Sequence, residues 1–460
     1  MQAPMTIEDI DKEFFFHPFT HAREHERTGP LTIALGHGST LTDTRGRTYL
    51  DAMAGLWCVN IGYGNAEMAE TLRAQTERLA YYHTFASMGN EPVARLAQRL
   101  IAMAPGAMSK VFFGNSGSDA NDTHVKLVWY YNNVLGRPQK KKIISRNRGY
   151  HGVTVMSGSL CGLPGMHAGF DLPLPMVHFV RAPHRLWEQE AGQSEEEFVQ
   201  GLADELEQLI LAEGPDTVAA FIAEPLQAAG GVIVPPASYF PAIQEVLRRY
   251  DVLLIADEVV CGFGRLGENF GSEVFGLRPD LITVAKGITS AYMPLSASLV
   301  SEAVWDVIAS GSEKYGVFSH GYTYSAHPLA AAAAMTNLDI IERDGLIPQA
   351  KARGEYLAER LRAEFGGHPL VGEVRGHGLV GAVEFVKSTD PLTAFDPALK
   401  VSAAVVRRSR ELGVITRALP SADTISFSPP FVVTEAEIDE MAAATRRALD
   451  DVAAELRLLP

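Results

Sequence analysis

Short unbroken apolar runs alternate with amphipathic stretches between about residue 60 and residue 328. The runs lie in KVFF (110–113), KKII (141–144), VAAFIAEP (218–225), VLLIAD (252–257) and LITVAK (281–286). Such runs are typical of strands buried on both faces of a parallel sheet. The stretches between them repeat apolar positions every three or four residues, which predicts helices over 91–103, 118–131, 194–212 and 238–250. The alternation predicts an α/β fold with a doubly wound parallel sheet.

The pattern changes after residue 328. Helices are predicted over about 329–344, 348–364 and 434–456, with short strands near 379–386, 414–416 and 425–428. This mixture predicts a smaller α+β domain. The first 50 or so residues, with a short helix and an arm over 7–28 and a hairpin over 31–50, have no core of their own. We therefore predict a large domain over 60–328 and a small domain formed by 1–59 together with 329–460.

Composition narrows the possible partners. The 460 residues carry a net charge of -15, from 40 basic and 55 acidic side chains. Nucleic acid and anionic membranes require a positive surface, so neither is expected as a partner. The three cysteines are widely spaced and form no CxxC pair, which argues against disulfides and a cysteine-based zinc site. With no signal-peptide pattern and no apolar stretch near the roughly 20 residues of a membrane span, we expect a cytoplasmic protein.

Two ionisable residues directly follow predicted strands: Asp257 ends VLLIAD and Lys286 ends LITVAK. Ligands of open α/β sheets bind beyond the carboxyl ends of the strands, where both residues would lie. Pyridoxal 5'-phosphate requires such a pair, because it forms a Schiff base with a lysine and its pyridinium needs an acidic partner. Either residue alone would more often be a solvated strand end. Together they predict a site for this cofactor.

A candidate phosphate site lies in GNSGSDAN (114–121), between a predicted strand and a predicted helix. Backbone N–H groups at the start of a helix, with flanking hydroxyls, bind anions. Ser116, Gly117 and Ser118 could therefore hold a phosphate. A plain serine N-cap is the commoner meaning of such a motif, and only the neighbouring lysine and aspartate favour a phosphate.

Further candidates follow two other strands at the same edge of the sheet. Tyr150 and His151 belong to GYHG, and Glu224 belongs to AEP. An aromatic ring at a strand end can stack on a planar cofactor, although a packed core aromatic is more common. A glutamate before proline is most simply a solvated strand end.

Three other motifs match known patterns without favourable context. GFGRLG (262–267) matches a dinucleotide loop, but two acidic residues precede it and no convincing helix follows. HAREH (21–25) matches an inverted zinc motif, yet no third ligand is evident, and no metal is predicted. Asn121-Asp122-Thr123 matches a glycosylation acceptor, but nothing suggests secretion.

The motifs NSGSDAN, GYHG, AEP, DEVVCGFGRLG, VAKGI and GYTYSAHP together resemble the class III pyridoxal-phosphate aminotransferases. Within that family the chain is similar to the ω-transaminases, which transfer an amino group from primary amines to pyruvate. The resemblance extends from FHPFTH (16–21) to the C-terminal helix. It implies the fold type I architecture, with a mainly parallel seven-stranded sheet and a smaller α+β domain. It also implies a homodimer with a shared active site. Whether two such dimers form a tetramer is left open by the sequence.

The resemblance assigns roles to individual positions. Lys286 matches the lysine that forms the Schiff base, and Asp257 matches the partner of the pyridinium. Ser116, Gly117 and Ser118 match the phosphate cup, and Tyr150 and Val259 match the residues on the two faces of the ring. His151 and Glu224 match a histidine and an acid near the cofactor. Thr323 matches a phosphate contact from the other subunit.

Substrate positions also match. Phe19, Trp57, Phe85 and Tyr150 resemble the aromatic walls of one large and one small pocket, and Arg417 resembles a mobile arginine that pairs with the acceptor's carboxylate. A guanidinium binds a carboxylate through two parallel hydrogen bonds. Two mild departures from the family pattern, Tyr322 before the threonine and Ala228 in LQAAGG, bear on substrate preference.

The sequence therefore predicts a ping-pong transamination. A primary amine would give its amino group to the cofactor, and pyruvate or a similar keto acid would accept it. Polyamines, β- or ω-amino acids and aryl-alkyl amines are all compatible donors. Alternatives are an aminomutase, racemase or decarboxylase of the same superfamily, a dinucleotide-dependent oxidoreductase that uses GFGRLG, and a non-catalytic protein that binds the cofactor.

Overall fold

A seven-stranded sheet forms the centre of the molecule, of which the computed structural model describes residues 5–459. Across the sheet the strands are Met108–Gly114, Ser296–Ser301, Leu281–Val284, Leu253–Asp257, Val218–Ala223, Lys142–Arg146 and Val177–Val180. Ser296–Ser301 runs antiparallel to both of its neighbours, and the remaining pairs are parallel. This arrangement confirms the predicted α/β fold with a mainly parallel seven-stranded sheet.

Two strands of this sheet were not predicted, because neither forms a continuous apolar run. Ser296–Ser301 alternates serine with apolar residues, yet it is buried along its whole length. The hydroxyl of Ser298 donates to the carbonyl of Ala120, and the hydroxyl of Ser296 donates to the carboxylate of Asp119. These tertiary hydrogen bonds allow polar residues in a buried strand. The edge strand Val177–Val180 is only four residues long, and its middle residues are half-buried.

Helices cover both faces of the sheet and also precede and follow it along the chain. The α-helices are Ile7–Phe14, Ala22–Thr28, Ala54–Trp57, Ala66–Leu79, Glu91–Met103, Gly117–Val134, Val155–Ser159, Arg185–Glu188, Glu195–Glu213, Tyr239–Arg249, Gly271–Phe275, Glu302–Tyr315, Pro328–Arg343, Leu346–Phe365, Val401–Glu411 and Glu435–Glu455. Their starts follow local chemistry; for example, Ser194 and Glu197 form a reciprocal capping box. Among the described residues, no helix has the length and apolar character needed to cross a membrane.

Two four-stranded sheets form the α+β part of the molecule. One contains Ile33–His37, Thr40–Asp43, Thr48–Asp51 and Val414–Ile415, and the other contains Val371–His377, Val380–Phe385, Thr424–Phe427 and Arg417–Ala418; Ser388–Thr389 and Leu392–Thr393 form a separate ribbon. The pairing of Thr48–Asp51 with Val414–Ile415 joins the N-terminal strands to the C-terminal part. The proposed division at residues 60 and 328 stays a prediction.

The predicted N-terminal hairpin is a three-stranded meander instead. A turn between Asp43 and Thr48 divides the segment that was expected to form one strand. The carboxylate of Asp43 accepts hydrogen bonds from the backbone N–H groups of Arg45 and Arg47, and Gly46 has φ +80°. A side-chain-capped turn with glycine in the left-handed region explains the extra reversal.

A buried ion cluster connects the second small sheet to the loop that follows the strand Val218–Ala223 of the large sheet. The guanidinium of Arg375 lies 2.6 Å from Glu384 and 2.8 Å from Glu373, and its Nε donates to the carbonyl of Gly231. Burial alone would raise the pKa of Glu384, but His184 and Arg375 hold it at about 2. Ionised Glu384 therefore stabilises the folded state.

We expect Glu384→Gln to lower the free energy of unfolding by about 3 kcal/mol at neutral pH, because Arg375 loses its buried partner. The folded-state pKa is lower than the ordinary value of 4.5, so this stabilisation is present above pH 4.5 and is lost as pH falls toward 2. The melting temperatures of the wild type and of Glu384→Gln, measured between pH 3 and pH 7, should therefore differ most near pH 7 and approach each other toward pH 3. The control is Glu373→Gln, at a more exposed partner of the same arginine; an equal effect of both changes would contradict the assignment.

Candidate functional site

The predicted site residues lie where several strands of the large sheet end. Asp257 is the last residue of Leu253–Asp257, and Lys286 follows Leu281–Val284 by two residues. Tyr150 and His151 follow Lys142–Arg146, Glu224 follows Val218–Ala223, and Ser116 follows Met108–Gly114. These five strands are mutually parallel, so their carboxyl ends share one edge of the sheet.

Asp257 lies at the centre of a hydrogen-bond network and is 3% exposed. Its Oδ2 accepts from Nδ1 of His151 at 2.8 Å and from Nδ2 of Asn121 at 2.9 Å. Its Oδ1 accepts from the backbone N–H of Val259 at 3.1 Å. Three N–H donors suit an ionised carboxylate, which only accepts. The site therefore presents a buried anion with a fixed orientation.

Lys286 occupies a strained and firmly held loop. Its φ of +48° lies in the left-handed region, which a lysine adopts at a cost of about 1–3 kcal/mol. The buried amide of Asn337 holds the following turn, donating to the carbonyls of Gly287 at 2.8 Å and Ile288 at 3.0 Å. The loop thus fixes where the lysine side chain leaves the backbone.

The start of the helix Gly117–Val134 provides an anion site. Ser116 is the N-cap, and Asp119 completes a capping box with it. Within residues 5–459, the backbone N–H groups of Gly117 and Ser118 donate to no protein acceptor. A Cβ at Gly117 would approach Cγ2 of Val259 to 3.0 Å, so this glycine brings the loop against the Asp257 strand end.

Tyr150 and Glu224 are coupled through the backbone. The carboxylate of Glu224 is buried and accepts from the N–H groups of Tyr150 at 3.0 Å and Ala228 at 2.9 Å. Burial raises the pKa of Glu224 and raises the pKa of the Tyr150 hydroxyl to about 12. In this conformation, Glu224 uses one oxygen on each backbone group and thereby fixes the loop that carries Tyr150.

Trp57 and Arg417 are in direct contact. The guanidinium carbon of Arg417 lies 4.8 Å from the centroid of the Trp57 ring, a distance suited to a cation–π interaction. Burial lowers the pKa of Arg417. Trp57 has φ +58° and follows a turn whose N–H groups at Met53 and Gly55 donate to Asp51. Asp51 was not predicted as a site residue.

Phe19, Phe85 and Thr323, which were also predicted as site residues, lie at the exposed surface of this single chain. Phe19 is 73% exposed, Phe85 is 48% exposed, and Thr323 is also exposed. Phe85 lines an open groove of about 930 Å³ together with residues 317–321. Their predicted contacts with substrate or cofactor stay predictions.

The dinucleotide-like loop GFGRLG has a structural role. Arg265 within it is fully buried and donates to the carbonyl of Pro429 at 2.7 Å and to Oδ1 of Asn60 at 2.8 Å. Its guanidinium also lies 4.7 Å from the ring of Phe431. The next helix, Gly271–Phe275, has only five residues. A loop enclosed in this way offers no open cradle for a pyrophosphate.

The zinc-like motif HAREH does not act as one unit. His21 caps the helix Ala22–Thr28, whereas His25 lies 3.3 Å from Asp11, which also contacts His17 at 2.7 Å. The cluster of Asp11, His17 and His25 was not foreseen from the sequence. The expectation that the protein uses no metal stays a prediction.

Asn121, which the sequence presented only as part of a glycosylation-like triplet, is fully buried in the network of Asp257. A usable signal was its spacing, because residues four apart on a helix share a face and Gly117 stands at the phosphate site. Asn337 lies 51 positions after Lys286, and nothing in its local sequence marks it as a support of that loop.

Comparisons with known proteins agree on one family. The chain matches the family described as aminotransferase class-III over residues 20–449. It is 50% identical over 451 residues to a diaminobutyrate–2-oxoglutarate transaminase of Halomonas elongata, which covers 96% of each chain. It is 46% identical to gamma aminobutyrate transaminase 3 of Solanum lycopersicum, over 94% of this chain and 83% of that protein. The structure is similar to an omega transaminase from Pseudomonas jessenii in complex with PMP, with a TM-score of 0.97, 47% identity and coverage of 99% and 100%.

Proposed function

The chain belongs to the class III aminotransferases, which use pyridoxal 5'-phosphate, and from this premise we propose that it is an ω-transaminase. It transfers an amino group from a primary amine to pyruvate or a similar keto acid by a ping-pong mechanism. The observation that supports the keto-acid half is the half-buried Arg417 stacked on Trp57. A mobile cation over an aromatic wall suits a site that accepts a carboxylate and an apolar amine in turn.

The residues present fit the cofactor. Asp257 offers a buried carboxylate for a cationic ring nitrogen, and Gly117 and Ser118 offer free N–H groups for a phosphate. Lys286 stands at the same sheet edge and supplies the primary amine. We assign the ring faces to Tyr150 and Val259, with His151 behind the carboxylate. Ser116, Glu224 and Thr323 keep the cofactor roles that the resemblance implies.

When bound, the cofactor supplies an electron sink that stabilises negative charge on the substrate carbon. The chain supplies the rest. Nζ of Lys286 would take the proton from that carbon and deliver it to a carbon of the cofactor, acting first as a positioned general base and then as a general acid. The carboxylate of Asp257 keeps the ring nitrogen protonated, since Asn121 and His151 hold it in place.

The substrate pocket is proposed to lie between Trp57, Tyr150 and Arg417, with Phe19 and Phe85 completing its walls. Both phenylalanines and the phosphate contact Thr323 are exposed in a single chain. We propose that a second copy of the chain covers them in a homodimer with a shared active site. The amine donor is proposed as a polyamine, a β- or ω-amino acid, or an aryl-alkyl amine. We also propose a cytoplasmic location.

Separate half-reactions test this proposal. The cofactor-loaded protein is mixed with an aryl-alkyl amine while the visible absorbance of the bound cofactor is followed, and pyruvate is then added. Loss of the band with the amine and its return with pyruvate are the expected results. No response to any amine of the three classes would reject the proposed function. A rearranged amine formed without any keto acid would instead indicate an aminomutase.

We expect Arg417→Met to slow the pyruvate half-reaction by about 10- to 100-fold, equivalent to the 1.5–3 kcal/mol of hydrogen bonds to a charged group. The half-reaction of the apolar amine should stay within about twofold, because that substrate has no carboxylate. Arg343→Met is the control, since this exposed arginine pairs only with surface carboxylates. Equal slowing of both half-reactions would contradict a role for Arg417 in acceptor binding.

A further inference from the structure

The side chain of Asn121 makes three hydrogen bonds at the site, as many as the carboxylate of Asp257. Its amide is fully buried on the helix Gly117–Val134. Nδ2 donates to Oδ2 of Asp257 at 2.9 Å and to the carbonyl of His151 at 2.7 Å, and Oδ1 accepts from Oγ1 of Thr283 at 2.6 Å. The amide therefore joins a helix, the GYHG loop and two neighbouring strands.

The partners determine which way the amide points. A carbonyl and a carboxylate oxygen only accept hydrogen bonds, so the two N–H groups of Asn121 must face His151 and Asp257. Of the three partner atoms, Oγ1 of Thr283 is the one that can donate a hydrogen bond, and it faces Oδ1 of Asn121. Turning the amide by 180° would place its oxygen against two acceptors and leave the Thr283 hydroxyl facing an NH₂ group. The orientation is therefore set on both sides.

These contacts divide the two oxygens of Asp257 into different roles. An ionised carboxylate has about four acceptor sites, two on each oxygen. Asn121 and His151 occupy both sites of Oδ2, whereas Oδ1 receives, among residues 5–459, only the N–H of Val259 at 3.1 Å. One acceptor site therefore remains on Oδ1. This is the oxygen that can receive a proton-bearing ring nitrogen.

We infer that Asn121 is a positioning residue for this reaction, held by Thr283, and that it fixes the Asp257 carboxylate with Oδ1 directed at the cofactor's ring nitrogen. The inference rests on the proposed function, because it concerns how the same cofactor is used. Without the amide, the carboxylate is free to rotate about its last torsion and to present a mixture of orientations. The ring nitrogen would then be less fully protonated.

Three variants and a matched control test this role in the cofactor-loaded protein. Asn121→Ala removes the donor, and Asn121→Asp replaces it with a carboxylate that repels Asp257. Thr283→Val keeps the side-chain volume but releases the amide. The control is Asn132→Ala, since Asn132 is equally buried on the same helix but its Nδ2 donates only to the carbonyl of Val128. Half-reaction rates are measured together with the ¹⁵N resonance of ring-labelled cofactor.

We expect Asn121→Ala to slow the amine half-reaction about tenfold and to move the ring ¹⁵N resonance toward that of unprotonated pyridine. Asn121→Asp should cause larger changes, and Thr283→Val smaller ones in the same direction, with effects that are not additive with those of Asn121→Ala. Asn132→Ala should leave both readouts unchanged. If Asn121→Ala does not fold, Thr283→Val decides: an unchanged ¹⁵N resonance overturns the inference.

Different results would reject the proposed function and the positioning role of Asn121. A wild-type protein that does not respond to amines would reject the proposed function itself. A fully active wild type, together with Asn121 and Asn132 variants that behave alike in rate and in ¹⁵N resonance, would reject only the positioning role.

Discussion

Lys286→Ala is expected to reduce turnover by about 10⁴-fold, the upper end of what a positioned general acid–base group contributes. The variant would lose the amine that we propose to bind the cofactor and to move the proton at the substrate carbon. No second lysine replaces it in its loop, whose turn is held by Asn337. Steady-state transfer from amine to pyruvate, measured with excess cofactor, provides the number.

Partial rescue by small exogenous amines separates lost chemistry from lost folding. An added amine can occupy the space left by the side chain and carry the proton, so activity should rise with its concentration. Lys351→Ala serves as the control, because this lysine is exposed and pairs with a surface glutamate. Turnover within tenfold of the wild type in Lys286→Ala, without added amine, would refute the assignment.

The second large effect is expected for Asp257→Asn, with a rate loss of about 10²–10³-fold, as for removal of one preorganised electrostatic group. An asparagine has the same size but cannot balance a cationic ring nitrogen. The phosphate donors and Lys286 remain, so the variant should still bind the cofactor. The cofactor content of the variant after dialysis should therefore stay close to that of the wild type, whereas its single-turnover rate with amine should fall.

The neighbouring Glu258 provides a matched control for this prediction. It is also fully buried, but its carboxylate accepts from the N–H groups of Gly271 at 2.9 Å and Ser272 at 2.6 Å. Burial raises the pKa of Glu258 to about 7. Glu258→Gln should affect stability more than rate, whereas Asp257→Asn should do the opposite. If Asp257→Asn reacted at the wild-type rate, the proposed electrostatic role of Asp257 would be wrong.

Much of the large sheet was predictable because its central strands are buried on both faces. Continuous apolar runs such as VLLIAD and LITVAK are local signals, and the rule that ligands bind at the carboxyl ends of strands placed Asp257 and Lys286 together. The resemblance to a known family added the fold type and the cofactor, and the comparisons confirmed both. The individual roles of the site residues, apart from the geometry described here, stay predictions.

The rest depended on contacts between distant parts of the chain. Two serines of the strand Ser296–Ser301 find their partners on a distant helix: Ser296 donates to Asp119, and Ser298 donates to the carbonyl of Ala120. Arg417 contacts Trp57, which lies 360 positions earlier in the sequence, and the N-terminal histidines contact Asp11 through a turn that no local pattern specified. The local pattern of apolar and polar residues does not indicate which distant residues will be in contact.

The sequence by itself thus determined the five apolar strands of the large sheet, the main helices between them and the two ionisable residues at strand ends, because burial and periodicity are local properties of the chain. Only the tertiary structure decided how these residues are used. It enclosed Arg265 in a loop that looked suited to a dinucleotide, and it joined Asn121 to Asp257 across 136 positions. The physical reason is that a hydrogen bond depends on the distance and direction between two groups, which the packed fold establishes and the local sequence does not.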